Sequence, residues 1–144
     1  MILPPSARLP YKTGWTAQVA STRALMLFQL RERSGGISDS ASGTFITADG
    51  TPQHLHKSDF EIALRDEWHS PHTQGIYPSS WEIRIHEPDC LLEAKPWMAD
   101  QEVNFPPVTY WEGAVHFNGD CNGVPVQGNG YIELTGYVGN LPMP

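Results

Sequence analysis

The sequence predicts an all-β fold of short antiparallel strands, arranged as a barrel or a sandwich. Thirteen glycines and thirteen prolines are spread through the 144 residues and leave little room for a long helix. The segments between them are short, several alternate like strands, and Asp49-Gly50 and Asn122-Gly123 have the composition of hairpin turns. Strands at near-regular spacing, joined by turn signals, are typical of barrels and sandwiches, and we expect roughly eight to ten of them.

The first half of the domain reads as three strands. Residues 25–30 carry large apolar side chains on both faces, which predicts a strand buried on both sides. Residues 43–48 follow as a strand that ends at Asp49-Gly50, where we expect a two-residue turn with positive φ at both positions. Alternation over residues 60–65 predicts the next strand.

The second half continues in the same way. Residues 81–86 alternate, Pro88-Asp89 turns the chain, and residues 90–94 return. The last pair of strands covers 109–117 and 124–137. Because residues 97–102 contain no helix breaker, we expect at most one short helical turn, between Pro96 and Val103.

Length and charge limit the possible classes of protein. The length suits one domain, which we assign to residues 14–144 after a Pro-rich tail at residues 1–13. The net charge of −7 and the lack of a basic cluster argue against nucleic acid or an anionic membrane as a partner. No apolar run approaches the roughly 20 residues of a membrane span. No signal-peptide pattern is visible, so the location stays open, with the cytoplasm as the default expectation.

Cysteine and histidine give no strong signal. Cys90 and Cys121 are too few for a disulfide framework and match no zinc spacing. We expect two separate thiols, with a disulfide as the alternative if two strands bring them together. His54 and His56 share a strand face but lack a third ligand at a supporting spacing, so we predict neither a metal site nor a cofactor.

The last hairpin allows the most specific prediction. If Asn122 and Gly123 form a type I′ turn, the pairing that follows places Glu112 directly opposite Glu133. One face then carries Trp111, Val115, Phe117, Ile132 and Leu134, and the other carries Tyr110, Glu112, His116, Tyr131 and Glu133. A bulge near Pro125 would shift this register by one residue.

Two opposed carboxylates suggest acid chemistry. Their Cβ atoms would lie roughly 5 Å apart, and like charges at that distance raise the pKa of at least one of the two. A carboxylic acid that keeps its proton beside aromatic rings suits the addition of water to an alkene. The alternative is that Glu112 and Glu133 lie on a solvated strand face and spread apart into water.

Aromatic side chains are numerous enough to shape a pocket. A small closed barrel needs large inward side chains, and we expect Trp68, Tyr77, Trp81, Tyr110, Trp111 and Tyr131 to contact a hydrophobic ligand. The segment from Trp68 to Pro78 is either a rim over the mouth of a barrel or a structural plug that closes one end. The sequence shows no Gly-x-Ser-x-Gly elbow and no phosphate-binding loop, which argues against a hydrolase.

Seven separated segments together resemble a known family. They include Leu25 to Arg31, Ser42-Gly43-Thr44, Trp68 with Ser70-Pro71, Tyr77-Pro78 with Trp81, Asp100-Gln101-Glu102, Tyr110 to Val115 and Gly130 to Tyr137. The pattern, from about Trp15 to Tyr137, is similar to the second domain of the AttH-type and carotenoid hydratase family. The resemblance implies a lipocalin-like (calycin-like) barrel, and it implies a sister domain that this sequence lacks. The sequence also departs from the family pattern at Gly14 to Val19, where the opening strand is shorter than in the family.

We therefore expect a module that binds a small hydrophobic ligand, such as an isoprenoid or a lipid, with Glu112 and Glu133 at its polar end. The alternative is a hydratase, a hydro-lyase in which Glu112 or Glu133 protonates a prenyl double bond. A third alternative is a domain that only supports a partner. A homodimer could replace the cover that a sister domain would supply.

Overall fold

The computed structural model is an all-β domain, and it describes residues 11–19 by their backbone and residues 23–32 and 34–139 in full. Ten strands follow one another along the chain: β1 Tyr11–Val19, β2 Ala24–Arg31, β3 Ser42–Ile46, β4 Pro52–His56, β5 Phe60–His69, β6 Ile76–Ile85, β7 Cys90–Pro96, β8 Glu102–Phe105, β9 Val108–Cys121 and β10 Val124–Thr135. The only helical turn in the described part is a short 3₁₀ turn at Lys57–Asp59. The predicted fold class and number of strands are confirmed.

All strand pairs are antiparallel. Nine strands follow the order β4-β3-β2-β1-β10-β9-β7-β6-β5, and β8 pairs with β9 beside that path. The two ends of the path, β4 and β5, are joined by the 3₁₀ turn. At this corner the Gln53 side chain donates a hydrogen bond to the Glu87 carbonyl at 2.7 Å, and the His86 amide donates to the Asp59 carbonyl at 3.0 Å. The sheet thus curls around one core, as in a lipocalin-like barrel.

The inner face of the sheet forms the core because alternate residues point to the same side. The buried apolar residues of β2 to β7, β9 and β10 form a single cluster together with Ala41, and Leu27, Ile83 and Ile132 are among its fully buried members. The predicted double burial of residues 25–30 is wrong. Leu25 and Leu27 are buried, but Met26 is 56% exposed, because β2 has nothing packed on its outer face in the described part of the chain.

Two local predictions are also wrong in their detail. The hairpin at Asp49-Gly50 exists, but only Gly50 has a positive φ, +85°. The Gly50 amide donates to the Thr47 carbonyl and the Thr47 amide donates to the Thr51 carbonyl, so the loop is longer than two residues. The helical turn lies at Lys57–Asp59 rather than between Pro96 and Val103, where irregular chain leads into β8.

The two cysteines form a disulfide instead of the separate thiols that we expected. Cys90 opens β7 and Cys121 closes β9, and the two residues are direct partners in the β7–β9 ladder. The sequence alone could not show this pairing, since β8 separates the two strands along the chain. The predicted tail at residues 1–13 mostly lies outside the described residues, and β1 already begins at Tyr11.

Candidate functional site

The register predicted for the last hairpin is confirmed. Asn122 and Gly123 both have positive φ, +52° and +77°, as a type I′ turn requires. Cys121 pairs with Val124, and Glu112 lies directly opposite Glu133. The position of every side chain on β9 and β10 follows from this turn.

The two faces of the hairpin have different environments. Trp111, Val115, Phe117, Ile132 and Leu134 are all buried in the core. Glu112 and Glu133 lie on the outer face, the first half-buried and the second exposed. The face that lines the interior, which the sequence left open, is therefore the one that carries Trp111.

Tyr110 connects the outer side chains. Burial raises the pKa of the Tyr110 hydroxyl, and the nearby carboxylate of Glu112 raises it further. Glu133 and Tyr131 also raise the pKa of Tyr110, but by less than Glu112 does. These four residues form one cluster, which we call the outer carboxylate cluster.

The predicted site residues thus divide into two groups. Trp68, Tyr77, Trp81 and Trp111 belong to the core or pack against it, whereas Tyr110, Glu112, Tyr131 and Glu133 form the outer carboxylate cluster. The sheet itself separates the two groups. No single small ligand contacts both.

The inner aromatic rings are in mutual contact. The ring centroids of Trp81 and Trp111 are 6.3 Å apart, and those of Trp68 and Tyr77 are 6.0 Å apart in a stacked arrangement. Tyr137, just beyond β10, approaches Tyr77 at 5.5 Å. The indole nitrogen of Trp111 donates a hydrogen bond to the Ala99 carbonyl at 2.8 Å, which satisfies the one polar atom of that ring.

A carboxylate that we did not predict as a site residue lies beside this aromatic group. Glu102, the first residue of β8, accepts a hydrogen bond from the Ser70 hydroxyl and one from the Thr73 hydroxyl, both at 2.7 Å. Ser70 is only 3% exposed, and its hydroxyl oxygen also accepts from the amides of His72 and Thr73. Glu102 and the turn between β5 and β6 are therefore held in one arrangement, which we call the Glu102 network.

The Tyr77 hydroxyl lies next to this network. Tyr77 is fully buried, and within the described residues its hydroxyl oxygen makes no hydrogen bond of good geometry. Burial raises the pKa of Tyr77 far above its ordinary value. The Glu102 carboxylate raises it further, since it lies close enough to interact with the hydroxyl although the two form no hydrogen bond of good geometry. A buried hydroxyl without a partner costs free energy, so this oxygen is a point at which a bound polar group would be stabilised.

Sequence reasoning found Tyr77 but not its neighbour. In the sequence, Glu102 stands out only as part of the Asp100-Gln101-Glu102 segment of the family resemblance. Its strand β8 has four residues, and it pairs with β9 through a turn at Pro106-Pro107 that carries no hairpin signal. Glu102 follows Ser70 by 32 residues along the chain, so their contact leaves no local sequence pattern.

Neither a metal site nor a membrane helix appears among the described residues. Within them, no three His, Cys, Asp or Glu side chains converge as metal ligands. His54 and His56 are neighbours, with ring centroids 4.6 Å apart. No helix of the described ranges is long and apolar enough to cross a membrane.

The fold defines a lipocalin-like protein. The profile of the AttH-like family matches residues 11–137, and the chain belongs to that family. The crystal structure of a Nitrosomonas europaea protein, identified provisionally as AttH, is 30% identical and superimposes with a TM-score of 0.78. The alignment covers 96% of this chain and 42% of that one.

A second solved structure is that of kievitone hydratase from Nectria haematococca. It is 20% identical, with a TM-score of 0.72, and the match covers 87% of this chain and 39% of that one. The chain therefore spans about two fifths of the length of each protein. No curated protein sequence matches significantly.

Proposed function

We propose that this domain binds a small hydrophobic molecule with one polar group inside its barrel, with the aromatic rings as the wall and Tyr77 as the polar contact. The observation that carries the proposal is the buried Tyr77 hydroxyl, which has no hydrogen-bond partner of good geometry in the described part of the chain. Ligand pockets commonly combine apolar walls with a few placed polar groups, and the rings packed around the Tyr77 hydroxyl supply residues of both kinds.

The polar end of the proposed site differs from the one expected from the sequence. Glu112 and Glu133 lie on the outer face, whereas Trp81 and Trp111 lie inside. Glu102 is the carboxylate close to Tyr77, and its two oxygens accept hydrogen bonds from Ser70 and Thr73. The Tyr77 hydroxyl, which lies beside Glu102, is the group that we assign to a ligand alcohol or carbonyl.

Ligand titrations followed by tryptophan fluorescence test this proposal. Trp68 stacks on Tyr77, so a bound molecule changes its emission. We expect farnesol to bind. We expect Tyr77→Phe to weaken the affinity for farnesol by roughly 3- to 10-fold, as for the loss of one hydrogen bond. Squalene, a hydrocarbon without a polar group, should bind Tyr77→Phe and the unaltered protein equally well.

Tyr131→Phe is the matched control. It removes the same hydroxyl from a ring that is 47% exposed on the outer face, and it should leave farnesol binding unchanged. Equal affinity of farnesol for the unaltered protein and for Tyr77→Phe would refute the polar contact. If neither farnesol nor squalene binds to the unaltered protein, the proposal as a whole is refuted.

Hydratase chemistry is the second candidate, and the outer carboxylate cluster favours it. Glu112 and Glu133 are direct partners across β9 and β10, and the Tyr110 hydroxyl lies close enough to Glu112 for that carboxylate to raise its pKa. In such a reaction the acid transfers its proton to one alkene carbon, water attacks the other carbon, and the carboxylate takes back a proton from the bound water. The similarity to kievitone hydratase shows the fold, and in this proposal it suggests the reaction.

Glu112→Gln and Glu102→Gln together test this second candidate. If the outer cluster is catalytic, Glu112→Gln abolishes water addition to a prenyl substrate while farnesol still binds. If the acid is inside the barrel, Glu102→Gln has that effect and Glu112→Gln does not. If the unaltered protein turns over no prenyl compound, the hydratase candidate is wrong, and binding of farnesol would still support the first proposal.

A further inference from the structure

A pocket of about 500 Å³ lies at the opposite end of the barrel from Tyr77. Three turns surround it: the β3–β4 turn, the β6–β7 turn through Pro88, and the β9–β10 turn through Asn122. Phe45 from the core and Arg23, just before β2, complete its lining. A volume of this size falls within the range of about 300–1,000 Å³ that is usual for small-molecule sites.

Arg23 is the feature of this pocket that points to a ligand. The sequence contains 16 Asp and Glu residues, and every one of them lies within the described ranges. None of these carboxylates forms an ion pair with Arg23, although Lys57, Arg65, Arg84 and Lys95 each pair with one. The guanidinium group of Arg23 is thus a cation without a carboxylate partner at the edge of a partly apolar pocket.

Asp49 is the other charged group of the pocket. One of its carboxylate oxygens accepts hydrogen bonds from the Thr47 hydroxyl and from the Thr51 amide, the latter at 3.0 Å. These bonds hold Asp49 within its own turn. Its negative charge opposes an incoming anion, so an anion bound here must be directed at Arg23 and away from the β3–β4 turn.

We propose that this pocket binds an amphiphilic carboxylate, such as a medium-chain fatty acid, with the carboxylate on Arg23. Arginine presents a planar pair of donors that matches the two oxygens of a carboxylate. Phe45, Ala48 and Pro88 supply the apolar surface for the hydrocarbon chain. The site is independent of the proposed barrel site. Tyr77 lies near the start of β6, whereas the lining residue Pro88 follows the end of β6 at Ile85, and these two ends are roughly 25 Å apart at the usual rise of a strand.

The test is a titration of the full chain with decanoate, followed by NMR and by calorimetry. We expect decanoate to shift the Arg23 side-chain Nε–H resonance and the Ala48 amide, and we expect decanol to bind at least about tenfold more weakly, since a charge-assisted bond is lost. Arg23→Gln should weaken decanoate binding by at least about tenfold, and Arg23→Lys should restore part of it.

Two further variants make the result specific. Arg65→Gln is the matched control, because Arg65 pairs with Glu82 elsewhere on the barrel, and it should leave decanoate binding unchanged. Asp49→Asn keeps the acceptor oxygen of the turn and removes its charge, so it should tighten decanoate binding.

The outcomes separate the two sites. Decanoate binding that is unchanged in Arg23→Gln, or that is absent from the unaltered protein, overturns this proposal. Binding that is weakened by Tyr77→Phe but not by Arg23→Gln places decanoate in the barrel, which overturns this proposal and supports the other. The wild-type resonance shifts decide the matter even if Arg23→Gln does not fold.

Discussion

The side-chain amide of Gln101 occupies the space in which a side chain at Gly113 would lie. From that position the Gln101 amide nitrogen donates to the Ala114 carbonyl at 3.1 Å, and its oxygen accepts from the Ala114 amide at 2.8 Å. The Gln101 oxygen thus takes the place of a backbone acceptor for the Ala114 amide, between the part of β9 that pairs with β7 and the part that pairs with β8. The Ala114 carbonyl also accepts from the Trp97 amide at 3.1 Å. A glycine at 113 is required for this arrangement.

Gly113→Ala should therefore destabilise the fold. The added methyl group displaces the end of the Gln101 side chain and breaks its two hydrogen bonds with Ala114, and we expect a loss of about 1–3 kcal/mol in the free energy of unfolding. Urea denaturation followed by circular dichroism measures it. Gly36→Ala is the control. A Cβ at position 36 would meet nothing closer than the Ser34 hydroxyl at 3.7 Å, so the free energy of unfolding should change little in this variant.

The Glu102 network should contribute to stability through Ser70. Ser70→Ala removes a buried hydroxyl that donates to Glu102 and accepts from two amides, and we expect a loss of about 1–3 kcal/mol. Tyr77→Phe removes a hydroxyl that makes no hydrogen bond of good geometry and lies beside the Glu102 carboxylate, so its effect on stability should be smaller than that of Ser70→Ala. Thermal unfolding compares the two variants, and a larger loss in Tyr77→Phe would contradict the description of both groups.

His72 should titrate above its ordinary range. Its ring Nε2 lies 2.7 Å from an Asp100 carboxylate oxygen, and the hydrogen bond and charge of Asp100 raise the pKa of His72 above 6.5. Because the folded-state pKa is raised, the contribution of this pair to stability is complete below the unfolded value and is lost as the pH rises through the folded one.

NMR titration of the histidine ring protons measures this shift. Asp100→Asn should return the pKa of His72 toward 6.5, while Asp89→Asn, which alters a carboxylate paired with Arg84, should leave it unchanged. A His72 midpoint that does not respond to Asp100→Asn would show that the pair does not form in solution.

The Cys90–Cys121 disulfide should be complete and stabilising. The bridge closes a loop with a sequence separation of 31 residues, and loop-closure entropy predicts a contribution of about 3–4 kcal/mol. Thiol titration of the denatured, unreduced protein should detect no free thiol. The double variant Cys90→Ser, Cys121→Ser should unfold at lower denaturant concentration than the oxidised protein and together with the reduced one.

Local chemistry explains which structural features were predictable. Asn122-Gly123 requires a turn with two positive φ values, and a two-residue loop leaves a single register for β9 and β10. The opposition of Glu112 and Glu133 follows from that turn, so it was visible in the sequence. Asp49-Gly50 predicted the β3–β4 hairpin for the same reason, but its longer loop depends on hydrogen bonds between Thr47 and Thr51.

The sequence by itself determined the strands, their antiparallel order within hairpins and the sorting of side chains onto two faces, because these depend on neighbouring residues. Only the tertiary structure decided which face of the last hairpin is buried, that Cys90 meets Cys121, and that Glu102 lies beside Ser70 and Tyr77. Those contacts join strands that are distant along the chain. Their geometry is set by the curl of the whole sheet, which no local pattern encodes.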